Sequence, residues 1–559
     1  MERMKEYIGK TNMSLIDWTS RRNIRKLHVR PTLGCADAVS ADGSSEQDCW
    51  TVRDVFCKKR RFILGGQMSF ANTAPQQSGC ANYIGGNWRR SNSGEESEKR
   101  NPANLRDMLG ITIASSRLET KEAIAAATRA LPAWSDTPAP TRGEFLLRAA
   151  RIMRDNADTL AQLITREEGK TLSESKMEVR LTIDALEYFA GDGRRLCGQT
   201  LPSEKREFFA YTTRQPVGVI GLITPWNFPL AVPAWKIAPA LVCGNTVVWK
   251  PSTITPFISN RLTEVFVAGG IPPGVLNLVH GRGREVGDEL IEHPAVRGIS
   301  FTSSVEVGTA ISTKAVQKWK KVQSETGGKN PLIVLDDADL NLAVESTVAG
   351  AFGYAGQRCT ATSRAIVVGS IADTFVDKLV ARTKKLTVGD GVHPQTDMGP
   401  VADSGQCARI LEYIEAGKRE AELAFGGHRL HGKEFDHGYF IEPTVFDHVP
   451  PGSRIGQEEI FGPVLSVMRV PDATAALETA NNIRYGMTAS VFTRDLSRIH
   501  KFLAGLECGI VHVNSATIGS EVQFPFGGIK DTSFGERELG SSAINFYSEV
   551  KVVYVRTRD

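Results

Sequence analysis

The chain has 559 residues, of which 41% are hydrophobic and 23% charged, the composition of an ordinary soluble globular protein. Its length exceeds what one hydrophobic core usually supports, so two or three domains are expected. Its apolar runs, such as residues 217–223, are far shorter than the roughly 18 apolar residues of a membrane span. Nine cysteines without a Cys-x-x-Cys pair argue against a zinc ribbon and favour a reducing compartment. We therefore expect a cytoplasmic protein with no metal site and no membrane association.

The net charge of +4 is unevenly distributed along the chain. Residues 1–67 contain 13 Lys and Arg against 8 Asp and Glu, so residues 68–559 have a net charge of about −1. Such a body offers no electrostatic basis for binding nucleic acid. Residues 1–67 have weak periodicity and too many acids for a transit peptide. We predict that they form a disordered or artefactual extension and that Met68 is the true start.

A hairpin and a set of helices are the first elements predicted beyond residue 80. Residues 83–88 place aromatic and β-branched residues around a Gly-Gly turn, which is typical of a short hairpin. Apolar residues recur at helical spacing through residues 118–195. Within that stretch, Thr141 followed by Glu144 predicts the N-cap of a helix.

From residue 215 the pattern becomes strand, turn and helix in alternation. Apolar runs at residues 217–223, 246–249, 275–279 and 298–302 predict strands, with a helix over 233–242 after the first. A second such series runs from residue 331 to about 492, and residues 550–555 form a last strand. This alternation predicts an α/β fold with parallel sheets. Ligands bind such sheets outside the carboxyl ends of strands, here near residues 224–227, 250–253, 281–283 and 302–304.

Cys359 is the cysteine with the surroundings of a reactive thiol. It lies among small and polar residues that allow a ligand to approach, and Glu325 lies 34 residues upstream. A thiol nucleophile needs a base and a way to release its product, and a carboxylate can serve there. The alternative is that Cys359 is a small buried apolar residue. Ser303 and Ser304 follow a predicted strand and open a helix, which suits either an anion site or a helix cap.

Six motifs stand in sequence along the chain: Thr224-Pro225-Trp226-Asn227-Phe228-Pro229, Lys250-Pro251-Ser252, Glu325-Thr326-Gly327-Gly328-Lys329, Gly356-Gln357-Arg358-Cys359, Glu459-Ile460-Phe461-Gly462-Pro463 and Pro525-Phe526-Gly527-Gly528-Ile529-Lys530. Their order and intervals resemble those of the aldehyde dehydrogenase superfamily over residues 80–556. The resemblance implies a Rossmann-like coenzyme domain, a catalytic α/β domain and a β oligomerisation arm. The coenzyme domain would comprise residues 68–197 and 217–327, the catalytic domain residues 328–530, and the arm residues 198–216 and 540–559. A homodimer or homotetramer is implied as well.

The resemblance also assigns the chemistry. Cys359 resembles the nucleophile, Asn227 the side-chain donor to the oxyanion and Glu325 the general base that activates water. An amide suits the oxyanion because it donates without losing a proton. Lys236 is the family's further candidate for proton handling, with a helix lysine that reaches solvent as the alternative.

NAD or NADP is the coenzyme that the resemblance implies. Many relatives that prefer NAD carry an acid where this chain has Thr253, and an acid there repels a 2′-phosphate. We therefore expect NADP to be accepted. Ser303 stands where many relatives have Gly. The residues expected to contact the coenzyme are Thr224, Pro225, Trp226, Lys250, Ser252, Thr253, Ser303, Ser304, Gly327, Glu459 and Phe461.

The substrate expected is a small aldehyde. Residues 357–364 and 235–241 look most like those of 2-oxoglutarate semialdehyde (2,5-dioxopentanoate) dehydrogenases, with aromatic (benzaldehyde or vanillin) and succinic semialdehyde dehydrogenases as alternatives. Arg358 either pairs with a substrate carboxylate or points into the protein. Glu325 argues against a coenzyme A-acylating enzyme. Retention of Cys359, Glu325 and Asn227 together argues against a catalytically silent family member.

Overall fold

The structure is a computed structural model that describes residues 79–557. The prediction of an extension over residues 1–67, with its start at Met68, lies outside the described residues. No helix between residues 79 and 557 is both long and apolar enough to cross a membrane.

Helices of eight or more residues surround the sheets, and shorter ones connect them. The α-helices are α1 Arg117–Asp136, α2 Ala139–Asp155, α3 Ala157–Glu168, α4 Leu172–Asp192, α5 Ala231–Val242, α6 Pro256–Ala268, α7 Asp288–Glu292, α8 Val305–Gln317, α9 Leu340–Phe352, α10 Gly369–Thr383, α11 Ser404–Glu420, α12 Arg454–Gln457, α13 Ala473–Asn481, α14 Leu496–Gly505 and α15 Ser542–Tyr547. A π-helical turn at Gly283–Gly287 and 3₁₀ turns at Gly353–Gly356 and Phe435–His437 complete the helical structure of the described residues.

The strands form two large sheets and three small ones within the described range. They are β1 Asn82–Ile84, β2 Asn87–Arg89, β3 Glu96–Asn101, β4 Asn104–Ile113, β5 Thr200–Leu201, β6 Phe208–Pro216, β7 Val219–Ile223, β8 Thr246–Lys250, β9 Leu276–Leu278, β10 Val296–Thr302, β11 Lys321–Glu325, β12 Asn330–Val334, β13 Thr362–Val368, β14 Glu422–Phe425, β15 Thr444–Asp447, β16 Val464–Val470, β17 Tyr485–Gly486, β18 Thr488–Phe492, β19 Ile510–Val513, β20 Ile529–Lys530, β21 Ser533–Phe534 and β22 Ser548–Arg556.

The predicted hairpin, the helical stretch and the buried strands are present. β1 and β2 pair antiparallel, and α1 to α4 occupy the predicted helical region. The predicted N-cap at Thr141 is wrong, because α2 begins at Ala139 with Pro138 as its N-cap. Pro140 suits this start, since proline is well tolerated in the first turn of a helix, where no N–H partner is lost. Thr141 therefore lies inside the first turn.

The first large sheet has the order β2-β1-β9-β8-β7-β10-β11-β21. Its five central strands, from β9 to β11, are parallel, and the chain order reverses between β7 and β10. A reversal of this kind opens a crevice at the carboxyl ends of the two strands, where doubly wound sheets bind their ligands. The segments that follow β7 and β10 begin at Thr224 and Ser303, so both predicted ligand loops meet at this point.

The second large sheet has the order β14-β15-β16-β13-β12-β18-β19, and all its pairs except β14 with β15 are parallel. The two sheets are connected by the short segment from Thr326 to Lys329, between the end of β11 and the start of β12. Glu325 is thereby placed at the carboxyl edge of the first sheet. Cys359 follows the 3₁₀ turn at Gly353–Gly356 and precedes β13 of the second sheet.

A third sheet joins distant parts of the chain. β22 pairs with β6 over nine residues, from Ser548 opposite Pro216 to Arg556 opposite Phe208, and β5 pairs with the other edge of β6. This sheet corresponds to the predicted arm segments. The domain boundaries given above stay a prediction.

Candidate active site

A cavity of about 590 Å³ is lined by residues that follow β7, β10 and β11 of the first large sheet and by residues that precede β13 and β16 of the second. Ten of the predicted site residues line it: Pro225, Trp226, Asn227, Ser303, Ser304, Glu325, Gly327, Cys359, Glu459 and Phe461. Five do not: Thr224, Lys236, Lys250, Ser252 and Thr253. The structure thus brings the predicted nucleophile, oxyanion donor and base to one cavity, although they are up to 132 residues apart in the chain.

The Cys359 loop is held in an unusual backbone conformation. Tyr354, Ala355 and Gly356 have positive φ angles of 57°, 52° and 68°. Non-glycine residues rarely adopt such angles, so other contacts must hold them. Glu174 supplies part of that hold by accepting from the Tyr354 backbone N–H at 2.7 Å. Further along the loop, Asn330 Nδ2 donates to the carbonyls of Cys359 at 2.7 Å and Ala361 at 2.8 Å. Sequence reasoning missed Asn330, which directly follows the Glu325–Lys329 motif.

The surroundings of Cys359 favour the protonated form of its thiol. Burial raises its pKa, and the nearby carboxylates of Glu459, Glu325 and Glu538 raise it further. The thiolate is the nucleophilic form of cysteine. A base must therefore take the proton as the thiol attacks.

Asn227 is fixed from both its side chain and its backbone. Its Nδ2 donates to the carbonyl of Gln357 at 3.0 Å, which leaves the second amide N–H for another acceptor. Its own carbonyl accepts a hydrogen bond from the buried ammonium of Lys170. The amide is thus ordered before a ligand arrives, as an oxyanion donor requires.

Lys170 lies in a buried charge cluster that sequence reasoning missed. It pairs with Glu178 at 2.8 Å and lies 3.8 Å from Glu168, and all three side chains are fully buried. Burial lowers the pKa of Lys170, but the two carboxylates outweigh this and raise it overall. A signal was available at Glu168, which continues the buried stripe of α3 at helical spacing after Leu160 and Ile164.

Glu325 is buried, and only one of its two carboxylate oxygens has a hydrogen-bond partner among the described residues. One carboxylate oxygen accepts from the hydroxyl of Ser533, and the other, Oε1, has no partner among the described residues. Burial raises the pKa of Glu325 well above its ordinary value, and the neighbouring carboxylate of Glu538 raises it further. A carboxyl with a raised pKa that lines a cavity and has an unpartnered oxygen is suited to take a proton from water.

Glu538 and Lys236 form a buried ion pair beside this carboxyl. The Lys236 ammonium bonds to Glu538 and donates to the hydroxyl of Ser300 at 3.1 Å. Because the Lys236 side chain is fully buried, the alternative of a helix lysine that reaches solvent is wrong. Glu538 also lines the cavity. Sequence reasoning missed it, since nothing around residue 538 marks an acid that will be buried.

The predicted coenzyme residues suit a dinucleotide. Ser304 caps α8, whose amino end faces the cavity at the point where the strand order reverses, as for a pyrophosphate. Glu459 accepts from the backbone N–H of Gly328 at 2.8 Å, and a Cβ on Gly327 would collide with the same carboxylate. Trp226 and Phe461 meet edge to face at 5.5 Å.

Lys250 also fits a polar ligand. Its ammonium is buried and donates to the carbonyl of Pro251 at 2.9 Å, which occupies one of its three donors. Burial lowers its pKa to about 8. Ribose hydroxyls are acceptors that match the remaining donors. The hydroxyl of Thr224 instead accepts from Trp249 at 2.8 Å and ties β7 to β8.

A second cavity, of about 470 Å³, lies beside Thr253. Thr253 is exposed, and Ser252 accepts from the backbone of Ile254 at 3.2 Å, as in a turn. Arg282 lines the same cavity and pairs with Glu95. A substituent at Thr253 would therefore enter open space.

Comparison with known proteins agrees with this geometry. The profile of the aldehyde dehydrogenase family matches residues 88–553. The chain belongs to the aldehyde dehydrogenase family. The family resemblance, the fold class and the assignment to aldehyde-oxidising enzymes are thereby confirmed.

Two curated relatives are similar over almost their whole length. The α-ketoglutaric semialdehyde dehydrogenase of Bacillus subtilis (strain 168) is 42% identical over 482 residues, which cover 86% of this chain and 99% of the relative. The 2,5-dioxopentanoate dehydrogenase of Saccharolobus solfataricus is 44% identical over 466 residues, which cover 83% of this chain and 96% of the relative.

Two solved structures have the same fold. A betaine aldehyde dehydrogenase from Staphylococcus aureus in complex with NAD+ superposes with a TM-score of 0.83 and 36% identity, covering 86% of this chain and 95% of that one. An Escherichia coli NADP-dependent enzyme superposes with a TM-score of 0.82 and 37% identity, covering 86% of this chain and 98% of that one.

Proposed function

We propose that this aldehyde dehydrogenase uses Cys359 as its nucleophile, Asn227 as oxyanion donor and Glu325 as general base to convert an aldehyde into a carboxylic acid. The observation that carries the assignment is the convergence of the three side chains on one cavity at the junction of the sheets. Cys359→Ala should abolish coenzyme reduction. Undiminished reduction by that variant would overturn the assignment.

The reaction begins with attack of the Cys359 sulfur on the aldehyde carbon. A base removes the thiol proton, and Glu325, which lines the cavity and has one unpartnered oxygen, is the proposed acceptor. Negative charge then develops on the aldehyde oxygen, where the free N–H of Asn227 stabilises it. When bound, NAD or NADP supplies the acceptor for the hydride that leaves the carbon. Cys359 is left as a thioester.

Glu325 then activates water to hydrolyse the thioester. It takes a proton as the oxygen attacks, and Cys359 is released as the thiol together with the carboxylic acid. The buried Glu538–Lys236 pair interacts electrostatically with Glu325, and we propose that this proton passes to it. A coenzyme A-acylating reaction needs no such base, so coenzyme A-independent turnover is expected.

NAD or NADP is proposed to lie between the carboxyl ends of β7 and β10. Lys250 and Glu459 would hold the ribose hydroxyls. The amino end of α8, at Ser304, would bind the pyrophosphate, and Phe461 would pack near the nicotinamide. Acceptance of NADP is supported by Thr253, since the three acids that line its cavity already have partners: Glu95 pairs with Arg282, Glu96 pairs with Arg90, and Asp403 accepts from the backbone N–H of Gln406. Thr253→Glu should lower kcat/KM for NADP at least about tenfold relative to NAD, by charge repulsion. A strong NAD preference in the unaltered protein would contradict this.

The substrate we propose is 2-oxoglutarate semialdehyde. Support comes from the similarity to the Bacillus and Saccharolobus relatives, whose names specify that aldehyde. A steady-state screen of semialdehydes and aromatic aldehydes with both coenzymes tests it. A kcat/KM for benzaldehyde, vanillin or succinic semialdehyde above that for 2-oxoglutarate semialdehyde would refute it.

A homodimer or homotetramer is proposed from the three-stranded sheet. On β22, Val550, Val552 and Tyr554 share one face and are 58%, 56% and 66% exposed. A row of apolar side chains on an exposed strand face is typical of an interface. Light scattering after size-exclusion chromatography should give the mass of an oligomer. Val552→Lys should weaken this oligomer, whereas Lys551→Glu, a substitution on the other face of the strand, should not. A monomeric unaltered protein would contradict the proposal.

A reducing compartment, such as the cytoplasm, is proposed for the protein. The six cysteines of the described residues are free, and one of them is the proposed nucleophile. A thiol that acts as a nucleophile must not be oxidised. Fractionation of cells that make the protein tests this location.

A further inference from the structure

Arg358 presents a guanidinium to the active-site cavity with no acceptor of its own. The residue lines the cavity and is partly buried. Its Nε is buried and has no hydrogen-bond partner among residues 79–557. It also forms no ion pair with a carboxylate of the described chain. The cavity's other arginine, Arg409, differs, because it donates to the carbonyl of Glu459 at 3.0 Å.

The Arg358 head group is held in place by aromatic rings. It lies 3.4 Å from the ring centre of Tyr354 and 5.9 Å from that of Phe228. The two rings stack on each other at 5.0 Å, and the Lys170 ammonium lies 4.6 Å from both ring centres. The face of the guanidinium is thus occupied by Tyr354, while the edge formed by its two terminal nitrogens has no acceptor among the described residues. Such an edge matches the two oxygens of a carboxylate.

A buried donor without an acceptor carries a free-energy cost, and such groups in native proteins call for an explanation. A ligand would meet this guanidinium at its two terminal nitrogens, because the Nε is enclosed by protein and out of a ligand's reach. Within the cavity, Arg358 contacts the rings of Tyr354 and Phe228, whereas the proposed pyrophosphate site lies at Ser304, after β10. Trp235 and Phe526, which contact each other at 5.4 Å, line the same cavity with apolar surface suited to a short carbon chain.

We propose that Arg358 binds the remote carboxylate of the substrate and so selects short aldehydes that carry a carboxylate at the far end. Because Arg358 directly precedes the nucleophile, the chain between the aldehyde and the carboxylate must be short, of a few carbons. The inference rests on the proposed aldehyde oxidation and explains why a semialdehyde would be preferred to a neutral aldehyde of equal length.

The test compares charged and neutral aldehydes in matched variants. The proteins are the unaltered full chain and its variants Arg358→Met, Arg358→Lys and Arg409→Met. For each we would measure kcat/KM with two charged substrates, 2-oxoglutarate semialdehyde and succinic semialdehyde, and with their neutral homologues pentanal and butanal. Arg358→Met should lower the ratio of charged to neutral kcat/KM about 100-fold, mainly through KM for the semialdehyde. Arg358→Lys should retain part of the ratio, since it keeps the charge but not the forked geometry. Arg409→Met should leave the ratio as it is.

Each outcome has a distinct meaning. Equal losses for charged and neutral aldehydes in Arg358→Met would assign the residue to packing on Tyr354 and overturn the inference. A change confined to KM for the coenzyme would do the same, by assigning Arg358 to a coenzyme phosphate. Oxidation of pentanal as efficiently as semialdehydes by the unaltered protein would refute the inference while leaving the proposed function intact. Oxidation of none of the four aldehydes would refute the proposed function itself.

Discussion

Removal of the Asn227 amide tests how much of the catalysis depends on a fixed oxyanion donor. In the structure, one N–H is committed to the Gln357 carbonyl at 3.0 Å, and the backbone is held by Lys170. The other N–H therefore needs no rearrangement to meet charge that develops in the cavity. Loss of one such donor typically costs about 3 kcal/mol of transition-state stabilisation. At about 1.4 kcal/mol per tenfold, Asn227→Ala should lower kcat about 100- to 1,000-fold.

The assay follows coenzyme reduction in single turnovers, together with alkylation of Cys359 by iodoacetamide. Asn227→Ala should slow reduction strongly and alkylation little, because alkylation develops no charge on an aldehyde oxygen. Asn330→Ala is the matched control. It removes two bonds to the cysteine loop but no side chain of the cavity wall, so it should slow both reactions to a similar degree.

Two results would refute this reasoning. Asn227→Ala with kcat within about threefold of the unaltered protein would show that the amide is no oxyanion donor. Alkylation slowed as much as reduction would assign Asn227 to positioning of the thiol instead.

Two further predictions concern buried charges. Hydrolysis of the thioester should speed up as pH rises through the raised pKa of Glu325, because burial and Glu538 favour the protonated carboxyl and only the carboxylate accepts a proton. Rapid-quench measurements of the hydrolysis rate of the unaltered protein should show this rise. A rise of equal size in Glu325→Gln would contradict the prediction. Lys170→Met should destabilise the protein by about 3–5 kcal/mol, because it leaves two carboxylates buried without their cation. The control Lys176→Met, which removes an exposed pair with Asp158, should cost about 0–1 kcal/mol in the same denaturant titration, and similar losses for both variants would refute the claim.

The local patterns of the sequence predicted much of the scaffold. Strands buried on both faces, such as β7 and β8, are continuous apolar runs, and their alternation with helices indicates parallel sheets. The β3–β4 hairpin escaped prediction because β3, with the sequence Glu-Ser-Glu-Lys-Arg-Asn, is polar and shows no apolar alternation. The cap predicted at Thr141 failed because two prolines nearby set the start of α2 earlier.

The parts of the site that escaped prediction depend on contacts between distant residues. Lys236 bonds to Glu538, 302 residues later in the chain, and Lys170 bonds to Asn227, 57 residues later. Local periodicity contains no information on such pairs. Motif resemblance pointed to Cys359, Glu325, Asn227 and Lys236, but not to Glu538, Lys170, Glu168 and Glu178, which belong to none of the motifs.

The central claim is that Cys359 carries the acyl group and that Glu325 releases it. The most direct test is mass spectrometry of Glu325→Gln after mixing with 2-oxoglutarate semialdehyde and excess coenzyme. We predict one coenzyme reduced per active site, more slowly than in the unaltered protein because Glu325 also accepts the thiol proton, followed by a stable adduct on the Cys359 peptide with the mass of the acyl group. Continued turnover with Cys359 unmodified would contradict the account.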